Sequence, residues 1–232
     1  MGKAMPNQID NWIEKIKERE KKGLPLEEAT SPEAFWYTDD AFFQFERDSV
    51  FKNSWQYVGR SDQLINTGDY FSGDLFGLPY LVVYDKGVKA FYNICSHHAT
   101  CLVEGKGRVS ELKCPYHGWV YNFQGELKKI PQAGLLGKLN PKSLKLTELP
   151  LKIVGPFIFL NFGKEKKWEG SSLESVLTDY SYEDFKFVGS FKYRLKCNWK
   201  VFVDNYLDGG YHVPHMHPGL TEQIDFSSYK TV

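Results

Sequence analysis

Two short segments of the chain each place one cysteine beside one histidine: Cys95-Ser96-His97 and Cys114-Pro115-Tyr116-His117, with sixteen residues between His97 and Cys114. Two thiolates and two imidazoles match the four outer positions of a [2Fe–2S] core, the cysteines holding one iron and the histidines the other. Each of two loops must then present a sulfur and a nitrogen side by side, which a mixed pair does more directly than separate Cys/Cys and His/His pairs. Neutral imidazoles leave the core less negative than four thiolates would, so its potential rises, and their second nitrogens exchange protons with water. The chemistry indicated is delivery of single electrons.

This ligand set is that of a Rieske centre. A zinc ion is the rival, because two Cys and two His also satisfy a tetrahedral metal. Common zinc modules segregate their ligands as Cys-x2–4-Cys and His-x3–5-His, an order absent here, and accidental spacing is the remaining alternative. Gly118-Trp119, Tyr121-Asn122-Phe123 and the turn Gln124-Gly125 follow the second pair, as expected of a loop that leads into a hairpin. Cys101 and Cys197 read as buried small apolar side chains rather than ligands, and His98 as a neighbour of the ligands or a surface residue.

The other three histidines close the segment Asp204-Asn205-Tyr206-Leu207-Asp208-Gly209-Gly210-Tyr211-His212-Val213-Pro214-His215-Met216-His217. Two imidazoles and one carboxylate on one face of an Fe(II) leave positions open for dioxygen. His212 and His217 are the first-choice pair. A five-residue separation is not a helical register, so Pro214 is expected to end the helix and let the chain turn His217 back. His215, three residues after His212, competes for the role. Taken alone, such a turn reads more simply as surface or hydrogen-bonded histidines; beside an electron-delivery motif it is a recipient.

The elements that must position these residues follow from periodicity. Ile9, Trp12, Ile13 and Ile16 recur at helical spacing among Glu and Lys, which predicts an amphipathic helix over 8–22 with the run Lys15 to Lys22 on its solvated face. After a linker with Gly23 and Pro25, Phe42, Phe45, Val50 and Phe51 predict another short helical region. From about Trp55 to Phe162 the pattern is short strands: Tyr80–Tyr84 and Val88–Tyr92 flank the turn Asp85-Lys86-Gly87 and lead into the first ligand loop, and Leu151–Val154 and Phe157–Leu160 flank Gly155-Pro156. Past the charged loop Gly163 to Lys167, Ser171–Leu177 reads as a helix, Phe185–Leu195 as a strand region and 198–208 as a helix that can bury Trp199, Phe202, Val203 and Tyr206. The division expected is a helical segment over 1–50, a β domain carrying the cluster over 51–165, and the beginning of a further domain over 166–232.

At 232 residues the chain can bury a sizeable core, and 29 basic against 29 acidic residues leave no field to draw nucleic acid or an anionic membrane. The start Met1-Gly2-Lys3-Ala4-Met5-Pro6 lacks the apolar core of a signal peptide, and Leu149 to Phe162 is too short and interrupted to span a bilayer. A soluble, cytoplasmic protein is expected, where thiols stay reduced and available to iron.

In this order, the two pairs of motifs resemble the large subunits of Rieske non-haem iron oxygenases, from about Phe35 onward. Asn198-Trp199-Lys200 and Asp204 through Pro214 are most similar to choline monooxygenases and related enzymes of quaternary ammonium compounds. Lacking a second cysteine to pair with Cys101, the ligand loops resemble the oxygenase and ferredoxin type rather than respiratory Rieske proteins braced by a disulfide. The resemblance implies an α+β fold, with an all-β Rieske domain flanked by an N-terminal helical segment and the start of a helix-grip-like catalytic domain. It implies a [2Fe–2S] cluster on Cys95, His97, Cys114 and His117, and a mononuclear Fe(II) on His212 and His217. A ferredoxin or flavin-dependent reductase would donate electrons, and the substrates would be dioxygen and a small organic molecule, either choline-like or, in the runner-up reading, an aromatic ring. A pure electron carrier is the alternative outside enzymes. In this family an acidic residue just before the first iron-binding histidine links the cluster of one subunit to the iron of its neighbour, usually in a trimer. Asp208 takes that role here, four residues before His212 where many relatives have three, and the extra glycine of Gly209-Gly210 absorbs the difference; Asp204 is the weaker candidate. The family's third iron ligand, a carboxylate, lies far downstream, and Glu222 and Asp225 follow the histidines too closely to match it.

Overall fold

The computed structural model describes residues 6–25, 28, 30–131, 144–163, 167–179, 181–208, 210, 212–225 and 228. Expectations for residues 1–5, for 164–166 of the charged loop and for Gly209 lie outside that set. Helix α1 runs Pro6–Lys22, followed by α2 Phe35–Thr38, α3 Asp40–Glu46 and a π-helical turn Arg47–Phe51. Trp12 is the buried anchor of α1, set edge-on to Phe42 with ring centroids 5.1 Å apart, and Phe35 meets the same ring at 5.2 Å. Edge-to-face contacts of this kind add to the area such large rings bury. Asp39 starts α3 by accepting the N–H groups of Ala41 at 2.7 Å and Phe42 at 3.0 Å, the usual service of an acidic cap to orphan amides.

Ten strands follow: β1 Trp55–Arg60, β2 Asp69–Leu75, β3 Leu78–Tyr84, β4 Val88–Tyr92, β5 Lys106–Arg108, β6 Leu112–Lys113, β7 Val120–Tyr121, β8 Leu127–Lys129, β9 Leu151–Val154 and β10 Phe157–Asn161. They form antiparallel sheets ordered β4-β3-β2-β5, β1-β10-β9 and β6-β7-β8. Strand β3 explains the stacking. Its run Leu81-Val82-Val83 is fully buried, and successive side chains of a strand point to opposite faces. Leu81 and Val83 join a core with Phe91, Cys95, Cys114, Trp119 and Tyr121, while Tyr80 and Val82 join another with Phe71, Ile158 and Leu160. The large sheet therefore has two packed faces, one bearing the ligand loops. Helix α4, Ser171–Asp179, comes after the last strand.

The remaining helices are α5 Trp199–Leu207, α6 Val213–Met216 and α7 Pro218–Thr221. By its contacts the chain divides into one unit made of 1–45 with 190–232 and another made of 46–189. Among the described residues no helix is long and apolar enough to cross a membrane.

Three expectations need correction. Residues 185–195 form no strand, although Phe185, Phe187, Phe191, Tyr193 and Leu195 alternate as a two-faced strand would; Phe191 is 88% and Tyr193 81% exposed. A strand needs a neighbour for its backbone groups as well as an alternating pattern. Here the segment's start is held by side chains instead, Asp62 accepting the Phe187 N–H at 2.7 Å and Arg60 donating to the Phe185 carbonyl. In α5 the expected burial is only partial: Phe202 and Tyr206 are exposed, and the buried side chain is Lys200. Cys197 is exposed and Cys101 half-buried, so neither is the core residue expected; small size permits burial of a thiol but does not require it.

Candidate metal centre

Hairpin β3–β4 turns at Lys86 and Gly87, with the Asp85 N–H donating to the Gly87 carbonyl at 2.9 Å, and β4 then delivers the chain to Cys95. The second loop lies between β6 and β7. The two loops are built alike. The Cys95 N–H donates to the Thr100 carbonyl at 2.9 Å and the Ala99 N–H returns to the Cys95 carbonyl at 3.0 Å; the Cys114 N–H donates to the Trp119 carbonyl at 2.8 Å and the Gly118 N–H returns to the Cys114 carbonyl at 3.0 Å. In each loop the fifth residue closes the turn in the left-handed region, Ala99 at φ 57° and Gly118 at φ 71°.

This pattern sinks both thiols and leaves the imidazoles nearer the surface. Cys95 and Cys114 are buried and unpaired as disulfides, His97 is half-buried and His117 exposed. His97 lies flat on Trp119, centroids 4.5 Å apart at 6°, and its ring centroid is 4.7 Å from that of His117. Its Nδ1 is buried and has no hydrogen-bond partner among the described residues. A native structure seldom leaves such an atom orphaned, and a metal ligand explains it. Burial, then the neighbouring imidazoles of His98 and His117, lower the pKa of His97, which favours the neutral form that ligates.

Among the described residues, the group of metal-binding side chains that brings all its ligand atoms within 4.8 Å of one another is His97, His98 and His117, without either cysteine. Two thiolates set apart from two imidazoles suit a core of two irons better than one tetrahedral zinc, whose bonds are only about 2.0–2.3 Å long. The residues present therefore fit a [2Fe–2S] cluster. Sequence reasoning passed over Tyr121 as a hairpin residue. Its hydroxyl accepts the Ser96 N–H at 3.1 Å and sits 3.3 Å from Cys95 Sγ, a role that nothing in its strand pattern signals.

The second group lies past α5. Asp208 stands at the C-cap of that helix, where one carboxylate oxygen accepts the Gly210 N–H at 2.9 Å and the other lies 2.5 Å from His212 Nδ1. Pro214 falls inside the short helix α6 rather than ending a longer one, and the break comes at His217, whose φ of −131° leads into α7. The turn brings the His212 and His217 rings to 5.3 Å. His215 is exposed on α6. Asp204 bonds elsewhere, accepting the Tyr37 hydroxyl at 2.8 Å. Among the described residues no carboxylate completes a three-ligand group with His212 and His217; Glu222 and Asp225 are exposed.

Residues 54–140 match the family model for the Rieske [2Fe–2S] domain, and residues 182–231 match that for the catalytic domain of ring-hydroxylating alpha subunits. The chain is thus related to the Rieske non-haem iron oxygenase large subunits, with part of their catalytic domain. It is 38% identical to a chloroplastic choline monooxygenase of Atriplex hortensis, over 90% of this chain and 50% of the relative, and 30% identical to the carnitine monooxygenase oxygenase subunit of Escherichia coli K12, over 88% and 56%. Among solved structures, a quaternary ammonium Rieske monooxygenase in complex with L-carnitine superposes with TM-score 0.78 at 25% identity, over 84% of this chain and 57% of that one. A naphthalene 1,2-dioxygenase superposes with TM-score 0.68 at 29% identity, over 78% and 44%. This Rieske oxygenase chain thus spans about half the length of the curated relatives it matches. The domain matched over 54–140 is one described by its [2Fe–2S] cluster.

Proposed function

We propose that the chain is the electron-receiving and iron-binding part of an oxygenase that hydroxylates a small quaternary ammonium compound, with choline the first substrate to test. The observation that carries this is the Asp208–His212–His217 arrangement in a chain that also holds the two Cys/His loops. When bound, the [2Fe–2S] centre supplies electrons singly and the Fe(II) supplies the position where dioxygen is activated. Cys95, His97, Cys114 and His117 would hold the former, within a domain over 51–165, and His212 and His217 the latter, at the start of a catalytic domain over 166–232.

Asp208 has two tasks in this reading. By engaging Nδ1 of His212 it fixes the ring and leaves Nε2 as the ligating atom, the usual arrangement of a carboxylate behind a metal-bound histidine. It also offers a polar link for an electron arriving from the cluster of a neighbouring subunit in a ring of three. The donor is a ferredoxin or flavin-dependent reductase. The overall change balances as substrate C–H plus O2, two electrons and two protons giving C–OH and water.

The names of the relatives support a quaternary ammonium substrate, whose charge carries no hydrogen to donate and is bound by aromatic faces. An aromatic-ring hydroxylase is the second reading, supported by the likeness to naphthalene dioxygenase. Turnover of choline, glycine betaine, carnitine and simple aromatic acids by the full-length oxygenase with a reductase separates them. Choline oxidised to betaine aldehyde is the expected result, and hydroxylation of the aromatic acids alone contradicts it.

A further inference from the structure

Helix α5, which ends at Asp208, is fastened to the N-terminal helices by one of its faces. Asn198 caps it: its Oδ1 accepts the Lys200 N–H at 3.1 Å, and its Nδ2 donates to the Tyr37 carbonyl at 3.2 Å. A turn and a half along, the Tyr37 hydroxyl donates to Asp204 Oδ2 at 2.8 Å. Between these two contacts Lys200 is buried, 8% exposed, with its Nζ 5.0 Å from the Trp199 ring centroid, 5.5 Å from Phe42 and 5.7 Å from Tyr37. An ammonium facing three rings gains cation–π attraction that offsets part of its lost hydration.

Lys200, Asp204 and Asp208 succeed one another at intervals of four, so they lie along one side of the helix. Phe202 and Tyr206, on another side, are exposed. The cap at Asn198 suffices to start a helix. What Tyr37 and Lys200 add is a fixed rotation about the helix axis, and a helix that turned would swing the Asp208 carboxylate away from His212. The raised pKa of Tyr37, caused first by its bond to Asp204, accords with a hydroxyl that stays a donor.

We propose that the Tyr37–Asp204 hydrogen bond and the aromatic seat of Lys200 form a latch that sets the rotation of α5 and thereby holds Asp208 against His212, making Tyr37, Lys200 and Asp204 positioning residues of the second iron site. The inference rests on the reading of His212 and His217 as iron ligands. It also separates two roles for Asp204. A latch needs only an acceptor for the Tyr37 hydroxyl, whereas an electron link would need the carboxylate.

The test uses the full-length oxygenase, its Rieske centre loaded and its second site depleted, titrated with Fe(II). Y37F and D204A are each expected to weaken Fe(II) binding about five- to tenfold, the effect of one hydrogen bond acting through a ligand's support. The double variant Y37F/D204A should be no worse than either single one, because both remove the same bond. D204N keeps an acceptor and should stay within about twofold of wild type. The paramagnetic resonance of the reduced Rieske centre should be unchanged throughout, as an internal control. Wild-type affinity in Y37F, with only a lower melting temperature, overturns the latch, and so does a D204N defect as deep as that of D204A. If H212A and H217A keep wild-type Fe(II) affinity, the site reading itself fails and takes the latch with it.

Discussion

The Tyr121 hydroxyl accepts the Ser96 N–H at 3.1 Å and lies 3.3 Å from Cys95 Sγ, which as a thiolate ligand would have no proton and could only accept the hydroxyl's. Burial first, and the Cys95 bond second, push the Tyr121 pKa up to about 12, so the group remains a donor across the neutral range. Hydrogen bonds to cluster sulfurs stabilise the reduced form, which carries the extra negative charge. Y121F is therefore expected to lower the reduction potential of the bound centre by about 60 mV, the one-electron equivalent of about 1.4 kcal/mol. Protein-film voltammetry measures this directly; an unchanged potential would remove Tyr121 from the tuning of the centre.

The two ligand loops make a paired prediction about backbone strain. A side chain in the left-handed region costs about 1–2 kcal/mol, a penalty Ala99 already bears and Gly118 avoids. A Cβ on Gly118 would also meet Pro131 Cγ at 3.2 Å. G118A should therefore destabilise the protein by about 1–2 kcal/mol, while A99G should be neutral or stabilising by up to about 1 kcal/mol. Urea unfolding of the two variants gives the comparison, and equal losses in both would show that the loops are not equivalent.

Arg60 and Asp62 give a pH-dependent clamp on the chain leaving the β domain. The Arg60 guanidinium donates to Asp62 at 2.9 Å, and Asp62 accepts the Phe187 N–H at 2.7 Å. The bond from Arg60, with the Phe187 amide contributing, lowers the Asp62 pKa below its ordinary value of 3.8. A depressed carboxylate contributes stability that is fully present above its unfolded pKa and is lost as pH falls through the folded one. D62N should cost about 1 kcal/mol at neutral pH, a modest figure because the pair is partly solvated. The difference from wild type should shrink as pH drops below about 4. Thermal melts across that range check it, and a gap that persists in acid would assign the effect to packing.

At the second site the histidines are not equivalent. H217A should abolish Fe(II) retention, since His217 pairs with His212, whereas H215A should leave it within about threefold of wild type. D208N should weaken Fe(II) binding at least as much as Y37F does and slow turnover by at least about tenfold, a loss of the size seen when a carboxylate behind a metal-bound histidine is removed. Iron analysis against acid-labile sulfide, with steady-state rates, distinguishes these outcomes. Iron loss in H215A with retention in H217A would reverse the assignment of the pair.

Much of the β domain was legible because local signals and tertiary demands agree there. Turn residues at Asp85-Lys86-Gly87 and Gly155-Pro156 mark both hairpins, and the strands they join pair as expected. The Cys/His spacing revealed the ligand loops because chemistry constrains residue type as well as position. What escaped was whatever depends on a distant partner. The alternation over 185–195 encodes two faces but no neighbour, and helical spacing in α5 marks Phe202 and Tyr206 as apolar without saying which side is covered. Lys200 was missed for the opposite reason: its seat among rings depends on Phe42 and Tyr37, more than 150 residues earlier in the chain. Tyr121 and the left-handed Ala99 depend on loop closure that no periodicity records.

Two like loops are expected to give one [2Fe–2S] core two thiolates and two imidazoles. Electron–nuclear double resonance on the anaerobically purified, reduced protein tests it most directly. A half-reduced two-iron signal coupled to two imidazole nitrogens is expected, with one coupling lost in H97C and the other in H117C. A signal without nitrogen coupling, or a colourless protein holding zinc and no acid-labile sulfide, would contradict it.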